Sequence, residues 1–184
     1  MLSNLKRRKL TKLFTMYDAC NSGSLKFADY EQIVSRLATL RGFKIDSNEY
    51  QKMIEKYGFQ WIKMRGDIKE LLQKKQETNV SLDEWLAYHE IVLQNSDHQK
   101  LIRSLDELLF DTVDVDRSNN LDLAEWKTLF SIFNIPVVYA DESFQQIDCN
   151  GDGSITREEL FPILEEFYYS EDENAIGNKV FGPI

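Results

Sequence analysis

The run Asp148, Cys149, Asn150, Gly151, Asp152, Gly153, Ser154, Ile155, Thr156, Arg157, Glu158, Glu159 carries oxygen-bearing side chains at its first, third, fifth, seventh, ninth and twelfth places. With glycine at the sixth, this is the spacing by which a twelve-residue loop wraps a hard cation. Asp148, Asn150 and Asp152 offer oxygens at alternate positions, so a tightly turning backbone brings them to one point. Glu159 is long enough to reach back and chelate with both carboxylate oxygens. Ser154 stands where only a main-chain carbonyl is required, and Thr156 stands at the ninth place. Gly153 supplies the positive φ of the bend, and Ile155 is apolar, as suits a short strand pairing with a second loop. Thr156 and Glu159 also form a capping-box pair, which starts a helix where the loop ends. A plain polar turn uses similar residue types, but six matched positions beside helical patterns favour a calcium loop.

The pairing partner lies upstream, in Asp114, Asp116, Ser118, Asn120, Asp122 and Glu125. Asn119 takes the bend, being one of the few non-glycine residues that tolerate the left-handed conformation. Leu121 fills the strand place. Asp114, Asp116, Asp122 and Glu125 make this the most acidic loop, and both loops are expected to bind calcium. Two further loops are degraded. From Asp18 to Asp29 the bend glycine Gly23 and strand residue Leu25 persist, but Cys20 is a soft group and Ser22 brings no charge. Asp29 is one methylene shorter than glutamate, so Asp18, Ser22, Ser24 and Asp29 form a weak site, with Mg²⁺ as a competitor. The loop from Gln73 to Glu84, aligned on Val80, carries Lys75, Glu77 and Thr78, and lysine cannot ligate a cation. It is expected to be structural, with Ser81 and Glu84 capping its exit helix.

Between the loops, apolar residues recur at helical spacing. Lys6, Arg7, Arg8 and Lys9 are read as a solvated face of the first helix. Residues 46–76 are read as one long helix, or two joined near Gly58 or Gly66. Its aromatic stripe, with Tyr57 and Trp61, fits a core, or else the lining of a pocket for an apolar ligand. His89 and His98 are read as isolated from other soft ligands. The short polar linker Gln94 to Gln99 keeps the two halves close. Beyond Ser170 two readings stand: a frayed end, or Val180 and Phe181 docking on an apolar groove.

The 184 residues, 42% hydrophobic and 12% aromatic, suffice for a real core. A net charge of −9 argues against nucleic acid as a partner. Two cysteines, Cys20 and Cys149, give no disulfide framework and fit a reducing compartment. No spanning apolar run or signal core is present, so the expected location is cytoplasmic, away from membranes.

Four helix-loop-helix units beginning their loops at 18, 73, 114 and 148 identify the chain as resembling the EF-hand superfamily. The loop spacing, the dead second loop and the ending Gly177, Asn178, Lys179, Val180, Phe181, Gly182 resemble sarcoplasmic calcium-binding proteins of the calerythrin-like kind. The expected fold is all-α, with four EF-hand units in two pairs packed into one compact body. Residues 1–95 would hold the N-terminal pair, and 100–184 the C-terminal pair and closing segment. The resemblance implies a monomeric intracellular calcium buffer or carrier with no catalytic residues. Only four methionines, Met1, Met16, Met53 and Met64, are available for a sensor's groove. A sensor with a protein target stays open, as does a luciferin-binding-like carrier of an apolar ligand. Photoprotein activity is not expected, since the last helix offers Tyr168 and Tyr169 but no histidine.

Overall fold

The computed structural model describes residues 2–73 and 79–184. Among them lie α1 (Asn4–Tyr17), β1 (Ser24–Leu25), α2 (Phe27–Arg41), α3 (Asn48–Leu71), β2 (Val80–Ser81), α4 (Leu82–Val92), α5 (Ser96–Val113), α6 (Leu123–Ile132), α7 (Ala140–Ile147) and α8 (Arg157–Tyr169). Short 3₁₀ turns at Val137–Tyr139 and Ile176–Lys179 precede α7 and follow α8. The fold is all-α, and the two strands have two residues each. None of the described helices is long and apolar enough to cross a membrane.

Helix boundaries follow local chemistry. The Ser47 side chain accepts from the Tyr50 amide to start α3, and Gly42, at φ 66°, closes α2 in the left-handed conformation. Capping boxes at Ser81–Glu84, Asp122–Glu125 and Thr156–Glu159 start α4, α6 and α8. Of the two readings for residues 46–76, the single long helix holds: α3 is continuous from Asn48 to Leu71. Gly58 is buried, and burial of Met53, Tyr57, Trp61 and Met64 along the same helix offsets its poor helix propensity.

Packing divides the described chain into two units, residues 10–105 and residues 2–9 with 106–184. The division falls inside α5. The expected linker at 94–99 is already helix from Ser96, because Asn95 Oδ1 accepts from the amides of Asp97 and His98.

The first unit is rich in aromatic contacts. Tyr17 stacks on Tyr30 at 5.4 Å, Tyr30 meets Trp61 at 5.4 Å, and Trp85 Nε1 donates to the Leu10 carbonyl at 2.9 Å. β1 and β2 join its two loops antiparallel, Ser24 opposite Ser81 and Leu25 opposite Val80. The reading of His89 and His98 as isolated is corrected. Their rings lie 5.6 Å apart, packed with Tyr88, because α5 begins where α4 ends. His89 Nδ1–H donates to the Trp85 carbonyl at 2.8 Å, and burial pulls His89 down to about 3 and His98 to about 4.

In the second unit, Trp126, Phe130 and Phe167 are fully buried. The solvated reading of the basic cluster is also corrected. Lys9 is 2% exposed, and its Nζ donates to the carbonyls of Glu166 (3.1 Å) and Ser170 (3.0 Å) at the end of α8. A cation there satisfies carbonyls left open by the helix and complements its dipole. Lys6 is buried as well and pairs with Glu171, while Arg8 pairs with Glu173. Of the two readings for the closing segment, the docked one holds: Val180 and Phe181 are 1% and 5% exposed.

Candidate metal centre

α5 delivers Asp114 at its end and α6 starts from Asp122, so the loop 114–125 is held at both ends by helices. Three acidic side chains converge: one ligand oxygen each from Asp114, Asp116 and Glu125 lie within 4.8 Å of one another. Asp114 is buried, and its Oδ1 and Oδ2 accept from the amides of Ser118 and Asn119. Asp116 Oδ1 also accepts from the Ser118 amide, which, with the Ser118 side chain, holds the Asp116 carboxyl below the usual carboxylate range. Glu125 reaches back across the loop, where Oε1 accepts from the Val115 amide at 2.7 Å and Oε2 from the Asp122 amide. The backbone bends through left-handed residues Arg117 (φ 62°) and Asn119 (φ 63°). Asn119 therefore takes the glycine's place as expected, and Arg117 bears part of the bend. Asp122 Oδ1 accepts from the Glu125 amide, so this side chain caps α6 and stands outside the converging trio. Ser118 Oγ donates to the Asn120 carbonyl, linking the fifth and seventh places.

The loop 148–159 repeats the plan. Asp148 Oδ1 accepts from the amides of Gly151 and Asp152, and Oδ2 from Gly153. Asn150 Oδ1 accepts from Asp152, and Asp152 Oδ1 from the Ser154 amide and hydroxyl, which keep the Asp152 carboxyl low. Thr156 donates through its amide and hydroxyl to Glu159 Oε2. The other oxygen, Glu159 Oε1, is buried and has no hydrogen-bond partner. A buried acceptor left open in this way is unfavourable unless something positive meets it. The orphan oxygen and the acidic trio, all hard donors, fit a hard divalent cation. The loops are joined by two hydrogen bonds of 2.8 Å, from the amides of Leu121 and Ile155 to each other's carbonyls. Both side chains are fully buried.

In the first loop, Asp18 accepts from the amides of Ser22 and Gly23, and Ser22 Oγ donates to the Ser24 carbonyl. Asp29 is fully buried, with Oδ1 accepting from the Cys20 amide and Oδ2 from Lys26. The Cys20 thiol donates to Gln32 Oε1, so sulfur is directed to the α2 side of the loop. Lys75, Glu77 and Thr78 of the second loop lie outside the described residues; its strand and its capped exit are as expected.

The EF hand family model matches residues 105–131 and 140–160, which contain the two acidic loops. The two matched segments carry the EF-hand pattern. The chain is 31% identical over 108 residues to clytin of Clytia gregaria, a match covering 56% of the chain and 54% of clytin. The matched stretch therefore spans about half the length of that relative. It is 20% identical over 190 residues to the luciferin-binding protein of Renilla reniformis, covering 96% of the chain and 93% of the relative. The fold is shared with a sarcoplasmic calcium-binding protein from amphioxus, with a TM-score of 0.74, 18% identity and full coverage of both chains.

Residue spacing did not disclose the buried Lys9, the histidine pair or Ser143, which links Trp126 to the closing segment. Only Lys9 left a signal, since it continues the apolar stripe of Leu5, Leu13 and Met16 at helical spacing.

Proposed function

We propose that this EF-hand protein is a calcium buffer whose working sites are the loops 114–125 and 148–159, acting as a coupled pair. The observation that carries the reading is the buried, unpartnered Glu159 Oε1 in a loop bridged to its acidic neighbour through Leu121 and Ile155. In the first of these loops Asp114, Asp116, Ser118, Asn120, Asp122 and Glu125 would hold the ion. In the other, Asp148, Asn150, Asp152, Ser154, Thr156 and Glu159 would do so. A bound calcium ion supplies no bond-making chemistry here; its uptake is the event. The amides that already organise Asp114 and Asp148 pre-order the loops, and the paired strands let one occupied loop order the other. The loop 18–29 is proposed as a weak third site, because Cys20 stands at its third place and Asp29 at its twelfth is one methylene shorter than glutamate. The smaller Mg²⁺ competes best there.

Calorimetric titration of metal-free protein tests this. Two strong calcium sites are expected in the unmodified chain, and one in each of Glu125→Gln and Glu159→Gln. Two strong sites surviving in Glu159→Gln would remove the assignment.

One observation supports a second reading, carriage of an apolar small molecule. Tyr30 OH and Gln60 Oε1 are buried without partners in the aromatic first unit, and burial pushes the Tyr30 hydroxyl well up. The likeness to a luciferin-binding protein points the same way. Solvent extraction of protein purified from its source tests it: an absorbing compound in one-to-one amount supports carriage, and a colourless extract rejects it.

A further inference from the structure

Residues 176–183 lie against α8 and α7 of the second unit and reach α6 through one bridging side chain. Gly177 comes so close to α8 that a Cβ there would stand 2.6 Å from the Ile163 carbonyl and the Phe167 amide nitrogen. Its own amide donates to Glu166 Oε2. Asn178 donates to the carbonyls of Asp172 and Glu173. The Phe181 ring meets Phe167 edge-on at 5.1 Å. The Val180 carbonyl accepts from Ser143 Oγ at 2.6 Å, and Ser143 in turn accepts from Trp126 Nε1 at 3.2 Å. One segment is thus tied to α8 by close approach, to α7 by Ser143, and through Ser143 to α6. These are the exit helix of the loop at 114 and both helices flanking the loop at 148.

At its edge an open pocket of about 150 Å³ lies among Tyr139, Glu142, Ser143, Lys179, Gly182 and Pro183.

We infer that the groove between α6, α7 and α8 is a segment-binding surface, that residues 176–183 occupy it in cis, and that they keep the calcium-competent pair from presenting an apolar face to a protein target. The last clause rests on the calcium reading above; the groove itself does not. A competing partner is a short segment with glycine followed three and four places later by an aliphatic and an aromatic residue, as in Gly177, Val180 and Phe181. The glycine permits the close approach to α8, the apolar pair fills the seat, and the intervening carbonyl meets Ser143.

The test uses the chain lacking residues 175–184, a polarity-sensitive dye, and a peptide of residues 171–184. Exposing the groove is expected to raise dye fluorescence roughly threefold or more, as a contiguous apolar patch does. Excess peptide returns the signal to the full-chain level, and the same peptide carrying Phe181→Ala leaves it high. In the full chain, Gly177→Ala lifts the segment from α8 and raises dye binding in the same direction, which covers the case of a truncated chain that does not fold. Dye binding unchanged by Gly177→Ala, or a peptide that fails to displace dye from the folded truncated chain, overturns the inference. Calcium uptake by the full chain is measured separately, so the groove and the calcium reading can each fail alone.

Discussion

Lys9 is a long charged side chain in a place where a helix would otherwise leave carbonyls unsatisfied. Its buried stem packs like an apolar residue while the ammonium group holds Glu166 and Ser170. Desolvation lowers its pKa, yet Glu171, Glu166 and Glu173 all favour its charge. Lys9→Ala removes both the charged hydrogen bonds and the packing, and is expected to cost about 2–3 kcal/mol. Lys9→Met keeps most of the packing and should lose less. Urea denaturation of the two variants measures the difference, and a Lys9→Ala midpoint equal to that of the unmodified chain would refute the capping role. The same residue marks a boundary of what composition can reveal: a lysine on an apolar stripe is visible in the sequence, but the carbonyls it meets lie some 160 positions away.

Among the elements, the two-residue pairing of Leu121 with Ile155 is the smallest and has the widest reach. Each side chain is fully buried, and each backbone gives and takes one hydrogen bond. Ile155→Ala leaves every proposed ligand in place and is expected to cost about 2–4 kcal/mol through the cavity it opens. If the loops are coupled, calcium binding weakens at both; weakening confined to the loop 148–159 would show them to be independent. The element level was legible in the sequence because each loop encodes its own geometry: bend residue, strand residue and capping glutamate stand at fixed offsets. Continuity of α3 was left open, since glycine propensity argues for a break while the burial of Met53, Tyr57, Trp61 and Met64 that holds the helix together is tertiary. Docking of Val180 and Phe181 was open for the same reason. Their apolar character was plain, but their seat is assembled from three other segments.

For the whole molecule, the histidine pair predicts an acid limb of stability. His89 and His98 are held near 3 and 4, below the ordinary 6.5. The unfolded chain therefore binds more protons wherever the pH lies below 6.5. Stability from this source is constant above that pH and is lost as pH falls from 6.5 towards 4, by about 2 kcal/mol per histidine at pH 5. Asp116 and Asp152, kept below the usual carboxylate range, titrate later and do not blur the window. Denaturation of calcium-free protein between pH 7 and pH 5 checks this. His89→Gln should remove about half of the slope, and an unchanged slope would mean that the buried imidazole is not its source.

The ion pairs and hydrogen bonds of residues 2–9 also set an order of events during synthesis. Ser3, Lys6, Arg8 and Lys9 find their partners in Glu166, Ser170, Glu171 and Glu173. A nascent chain growing from its amino end makes one side of this contact early and the other only after the loop 148–159 has been translated. Until then the basic turn of α1 has no acidic mate, and the half of the protein expected to take up calcium cannot be closed. Maturation of that half is therefore a late step for the ribosome, with residues made before both loops waiting for residues made after them.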